Sequence, residues 1–155
     1  MGHSLFASWQ VIAVLAEYDL LIKHGSLLDT ASGYNQSTQD IGINDGRIRA
    51  IRDEIYEEDA ETVVDASSTI ICPGLIDLHV HVWDGVAHLA VPADPNCVGK
   101  GVTTAFDAGS AGADTYPGFQ KYVIDVSATR IKAFLHISSQ GSAGEQRRRI
   151  DRAAV

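Results

Sequence analysis

Apolar and polar positions follow one pattern up to Cys72 and another after Pro73-Gly74. In the first stretch the apolar residues come in short runs broken by turn chemistry. Residues 18–23 read as a strand, Gly25 as a turn, and Leu27-Leu28 as the opening of a second short strand. Residues 29–35 are a polar loop by composition. Residues 39–44 and 47–52 flank Asp45-Gly46. A two-residue hairpin turn of the I′ type needs positive φ at both central positions, so an Asp-Gly pair there predicts a hairpin. Residues 53–61 are acidic and read as a solvated loop, followed by short strands at 62–65 and 69–72. The stretch as a whole reads as a small all-β unit.

Beyond Pro73-Gly74 the runs are more widely spaced. Residues 75–82 predict a strand. Asp94-Pro95 predicts a helix start, with Asp94 as N-cap and Pro95 in the first turn; Gly99 and Gly101 close it. Residues 102–108 form a second apolar run, ending in the glycine-rich Gly109-Ser-Ala-Gly112. Thr115 is a candidate cap for a second helix, in which Phe119, Tyr122, Val123 and Val126 fall on one face. Residues 131–137 predict a third strand. Strand, helix, strand, helix, strand is the start of a parallel α/β array. A complete (β/α)8 barrel takes roughly 250 residues, so the array is expected to be truncated.

Composition narrows the function. Hydrophobic residues make up 45% of the 155 and charged residues 21%, as in folded soluble chains. Twelve Lys and Arg against twenty Asp and Glu give a net charge of −8. That balance disfavours nucleic acid and anionic membrane surfaces as partners. Cys72 and Cys97 form neither a CxxC pair nor a disulfide framework, which points to a reducing, cytoplasmic setting. The apolar run at 9–16 is too short to span a bilayer, and no Lys or Arg precedes it as a secretory signal would require. The tail from residue 142 gathers Arg147, Arg148, Arg149 and Arg152 and reads as no further strand.

Candidate chemistry centres on the run Leu75-Ile-Asp-Leu-His-Val-His81. Strand side chains alternate faces, so Asp77, His79 and His81 share one face. The two histidines lie roughly 7 Å apart at Cα, and both rings can reach one ion at about 2.1 Å. Imidazole suits zinc, iron, manganese, nickel and cobalt alike. An HxH pair is weak on its own in a chain with six histidines. Its position at the end of an apolar strand after a Pro-Gly turn strengthens it, because active sites of α/β barrels gather at strand C-termini.

The segment Pro73-Gly-Leu-Ile-Asp-Leu-His-Val-His81 resembles the first-strand signature of the amidohydrolase superfamily, in its dihydroorotase-like, deacetylase-type branch. Asp19-Leu-Leu-Ile-Lys-His-Gly25, Ile43-Asn-Asp-Gly-Arg-Ile48 and Val64-Asp-Ala66 resemble its small β-sandwich domain. Gly101-Val-Thr-Thr104 and Asp107-Ala-Gly-Ser-Ala-Gly112 resemble its second barrel strand and the loop after it, and Arg130-Ile-Lys-Ala-Phe-Leu135 resembles its third strand. The resemblance covers residues 18–141. It implies an α/β fold, a partial (β/α)8 TIM-barrel start preceded by a small β-sandwich. The expected segments are an N-terminal extension at 1–17, the sandwich at 18–74, barrel strands and helices at 75–141, and an atypical tail at 142–155.

The same resemblance implies a metal-dependent hydrolase in which activated water attacks a non-peptide amide, cyclic amide or related ester. One or two divalent ions, zinc first among them, would be bound by His79 and His81. Asp77 matches a position of the same motif and, like His88, Asp107 and His136, is a candidate to orient the metal ligands or line the pocket. The family's later-strand lysine, two further histidines and acid/base aspartate have no counterpart here; Lys132 comes on the wrong strand. The expectation is therefore that this polypeptide alone is inactive, binding metal weakly at most. The expected partner is a small-molecule amide or ester, with a homo-oligomer left open. Cys97 reads better as buried packing than as a ligand. Gly109-Ser-Ala-Gly112 lacks the Lys-Ser/Thr ending of a phosphate-binding loop.

Overall fold

A computed structural model describes residues 16–142. All but the last residue of the apolar run at 9–16, and the arginine-rich tail from residue 143, lie outside the described residues. The chain divides into two compact units, Met1–Pro73 and Gly74–Val155.

The first unit is one five-stranded sheet. Its strands are β1 (Tyr18–Asp29), β2 (Tyr34–Asn44), β3 (Arg47–Arg52), β4 (Ala60–Asp65) and β5 (Ile70–Ile71). The order is β3-β2-β1-β4, with β5 also paired to β1. β2 runs antiparallel to both β1 and β3, whereas β4 and β5 run parallel to β1. The expected turn at Gly25 is absent. Residues 18–29 form one strand that absorbs a register shift between Ile22 and Gly25, with His24 at φ 61°. The ladder to β2 resumes beyond the shift; within it the His24 N–H donates to the Asp40 carboxylate and the Lys23 carbonyl accepts the Ala66 N–H. The expected polar loop shrinks to a short 3-10 turn at Thr30–Ser32, and β2 starts at Tyr34.

The hairpin at Asp45-Gly46 forms as the sequence requires. Both residues have positive φ, 52° and 64°, and Asn44 pairs with Arg47 across the turn. The acidic segment 53–61 is less open than expected. Ile55 is buried within it and packs with Tyr18 and Leu21 in the core of this sheet.

Alternation along β1 puts Leu21, Lys23 and Leu27 on the buried side. A buried ammonium needs a counter-charge and hydrogen-bond acceptors. Lys23 Nζ lies 3.2 Å from Asp40 Oδ2 and donates to the Ile55 carbonyl at 2.7 Å. Asp40 also accepts the backbone N–H groups of His24 and Ile55, at 2.9 and 3.0 Å. Burial alone would raise the Asp40 pKa, but these donors and the Lys23 ammonium outweigh it and hold the carboxyl low.

The second unit holds β6 (Leu75–Val80), α1 (Ala93–Asn96), β7 (Val102–Asp107), α2 (Tyr116–Tyr122) and β8 (Arg130–Ala133). The strands form a parallel sheet in the order β6-β7-β8. Parallel neighbours need crossovers, which the segments containing α1 and α2 supply. Val82, Trp83, Cys97, Ala105, Phe119 and Ile131 are buried in the core. Trp83 stacks on Phe119 with ring centroids 5.4 Å apart. Burial raises the Cys97 thiol pKa, with Asp77 and Asp94 adding to the effect, as befits a packing residue.

Four local expectations change here. Asp94 is not the N-cap of α1; Pro92 holds that position. The Asp94 carboxylate instead accepts the N–H groups of Ala128 and Thr129, both at 2.9 Å, just before β8. Thr115 does stand at the N-cap of α2, but its side chain makes no capping bond to the helix. Its Oγ1 instead interacts with the Gly112 backbone and donates to the Gln140 carbonyl. α2 ends at Tyr122, so the expected four-residue apolar face breaks up. Phe119 is fully buried, while Tyr122 and Val126 are 68% and 71% exposed. β8 stops at Ala133; past it only an isolated bridge links His136 to Gly112.

Candidate metal centre and its pocket

Because β6, β7 and β8 are parallel, their C-terminal ends meet at one edge of the sheet. β6 delivers His79 and, one residue past its end, His81. β7 ends at Asp107 and leads into Gly109, Ser110 and Ala111. β8 leads on to His136. His79 and His81 face each other edge to face, with centroids 5.5 Å apart and ring planes at 82°. His79 is exposed and His81 half-buried.

A pocket of about 240 Å³ opens beside His81, lined by His81, His88, Leu89, Gly109 and His136 among others. Gly109 has φ 93°, and a side chain there would press on the His136 ring, 3.3 Å from its Cδ2 atom. Glycine thus lets the chain take a left-handed turn and lets the imidazole lie against the backbone. His136 Nδ1 accepts the Ser138 N–H at 2.9 Å, so the neutral ring carries its proton on Nε2.

His81 is tied differently. Its Nδ1 shares a hydrogen bond with Ser110 Oγ, 3.0 Å away. Ser110 is fully buried, as is Asp107. The Asp107 carboxylate accepts the Ser110 N–H at 2.7 Å through one oxygen and the Val82 N–H at 2.9 Å through the other. With Nδ1 engaged, Nε2 is the nitrogen His81 has left for a ligand. Two adjacent imidazoles, one braced in this way, suit a divalent cation. Among the described residues, no group of three or more His, Cys, Asp or Glu side chains is placed to hold a metal ion.

No family model matches the chain, but individual proteins and structures do. Over 110 residues it is 41% identical to a deacetylase of Agrobacterium fabrum, an alignment covering 70% of this chain and 27% of the deacetylase. Its fold matches a crystal structure of a dihydroorotase with TM-score 0.69 and 35% identity, over 80% of this chain and 32% of the other. An adenine deaminase structure matches with TM-score 0.67 and 30% identity, over 83% and 33%. This chain is related to the amidohydrolase superfamily. It spans about a third or less of the length of these relatives.

On this amidohydrolase-like edge the sequence-derived residues separate into groups. His79 and His81 come together, and His81, His88 and His136 line one pocket. Asp107 is linked to the His81 neighbourhood through the Val82 and Ser110 amides. Asp77 accepts the His79 backbone N–H at 3.0 Å, a local turn contact with the main chain rather than the ring. Lys132 is exposed on β8. Ser110 is not singled out by the sequence, where Gly109-Ser-Ala-Gly112 stands as part of the second-strand segment and as a stretch without the ending of a phosphate loop. The available signal was its place directly after β7, level with the end of β6.

Among the described residues no helix is long and apolar enough to cross a membrane.

Proposed function

We propose that this chain carries the first metal-binding edge of an amidohydrolase-type hydrolase, acting on a non-peptide C–N bond of an amide or cyclic amide, or on a related ester. The observation that carries this is the convergence of His79 and His81 at the C-terminal edge of a parallel sheet, beside a pocket of about 240 Å³. On this reading β6, β7 and β8 begin a (β/α)8 barrel, and the five-stranded sheet belongs to a small β-sandwich. The domain borders are those read from the sequence, at 18–74 and 75–141.

His79 and His81 would hold a divalent ion, zinc the first choice, in a one- or two-metal centre. Such an ion, when bound, supplies Lewis acidity and lowers the pKa of water. The chain's own groups do the rest. The two imidazoles bind, Leu89 and Ala108 give the pocket an apolar wall, and His136 offers an N–H to an oxygen of a small-molecule substrate. The setting proposed is the cytoplasm, with assembly into a homo-oligomer compatible with this reading.

A second reading has a specific observation in its favour. Catalytic zinc sites usually take three protein ligands, and the described residues bring together two. On that reading the 155-residue polypeptide binds metal weakly and turns nothing over by itself. Zinc titration against a chromophoric chelator tests the site: binding should be measurable in the wild type and lost in both His79→Ala and His81→Ala. Zinc affinity unchanged by both substitutions would overturn the site. Amide hydrolysis that tracks this chain and vanishes in His79→Ala would overturn the second reading.

A further inference from the structure

Asp107 and Ser110 carry no role in the proposed chemistry, yet both are fully buried and polar, and hydrogen bonds tie both to the His81 neighbourhood. Their hydrogen bonds close a ring. Asp107 fixes the Val82 N–H, which follows His81 in the chain, and the Ser110 N–H, whose side chain meets the His81 imidazole. Main chain and side chain of the same histidine neighbourhood are thus held by one carboxylate. A contact made only for packing would not need both oxygens of a buried Asp aimed at two segments that meet at one ring.

We infer that Ser110 is a positioning residue for His81: its Oγ accepts the Nδ1–H, fixing the tautomer that leaves a lone pair on Nε2, with Asp107 holding Ser110 in place. This rests on the proposed role of His81 as a metal ligand. The chemistry is that of a ligating imidazole whose second nitrogen is occupied by a hydrogen-bond acceptor, which sets ring orientation and proton position together. His136 provides the contrast within the same pocket. Its Nδ1 accepts an N–H, so its neutral ring takes the opposite tautomer. Two imidazoles of one pocket are therefore assigned opposite parts, His81 presenting a lone pair and His136 an N–H.

The test is nitrogen-15 NMR of the histidine rings in the full chain without metal, with the imidazoles neutral, together with zinc affinity by chelator competition. The wild type should show His81 protonated on Nδ1 and His136 on Nε2. Ser110→Ala should release the His81 preference and weaken zinc binding about 10- to 100-fold, and Ser110→Thr, which keeps the hydroxyl, should restore both. A His81 protonated on Nε2 in the wild type overturns the inference without any variant, even if Ser110→Ala fails to fold. A folded Ser110→Ala with unchanged tautomer and affinity also overturns it. If the wild type binds no zinc while His81 shows the Nδ1–H form, the metal reading fails and the Ser110 contact stands.

Discussion

Among the described residues each unit buries one aspartate almost completely, and the two are used differently. Asp40, in the five-stranded sheet, faces a buried lysine and two backbone amides. Asp107, at the end of β7, accepts two backbone amides, and the described residues show no ion pair for it. The first is a neutralised pair that secures strand to loop. The second is a carboxylate satisfied by main chain alone, at the place where two loops carry candidate chemistry. A buried charge is therefore a poor marker of function by itself. What it organises decides: a sheet in one case, the setting of a histidine ring in the other.

Removing the first carboxylate should have the largest effect. Asp40→Ala strands the Lys23 ammonium and two amides, and should cost about 3–5 kcal/mol in urea denaturation. A loss below about 1 kcal/mol would mean that the pair behaves like a surface ion pair. Asp107→Asn keeps the size of the side chain but turns one acceptor into a donor facing an amide. It should cost about 1–3 kcal/mol, followed through the fluorescence of Trp83, which is stacked on Phe119 in the same core. It should also weaken zinc binding, which Asp40→Ala leaves alone; equal loss of zinc in both variants would erase the functional contrast.

The smallest effect belongs to an exposed carboxylate. The side-chain and backbone donors of Ser67, helped by His24, lower the Asp65 pKa to about 2. Since the folded value lies below the ordinary one of about 4, the stabilisation is complete above about pH 4. It is lost as pH falls through about 2. Asp65→Asn should therefore be slightly less stable at neutral pH and converge on the wild type in acid. A gap that widens on acidification would contradict the sign.

The sequence made legible those features that depend on local geometry. Asp45-Gly46 spelled out its hairpin because few other pairs accept two positive φ angles. The meeting of the His79 and His81 rings was legible because strand periodicity is two, and the parallel array because apolar runs alternated with helix signals. Two of the failures share one cause: a polar side chain whose partner lies far along the chain. Asp94 had the chemistry of a cap, but the amides it meets are 34 and 35 residues away. Ser110 lies 29 residues from His81 and gave no pattern with it. Tyr122 and Val126 kept a helical spacing after the helix itself had stopped.

The Asp94 clamp also bears on the order of assembly. α1 is a single turn of four residues, too short to persist by itself in water. Its carboxylate reaches forward to the amides that lead into β8, so this turn and the start of β8 gain their definition together. Closing a loop of that length is entropically costly before any contact rewards it. Protection of the Ala128 and Thr129 amides from hydrogen exchange should therefore appear late in refolding, marking the moment at which the third parallel strand docks.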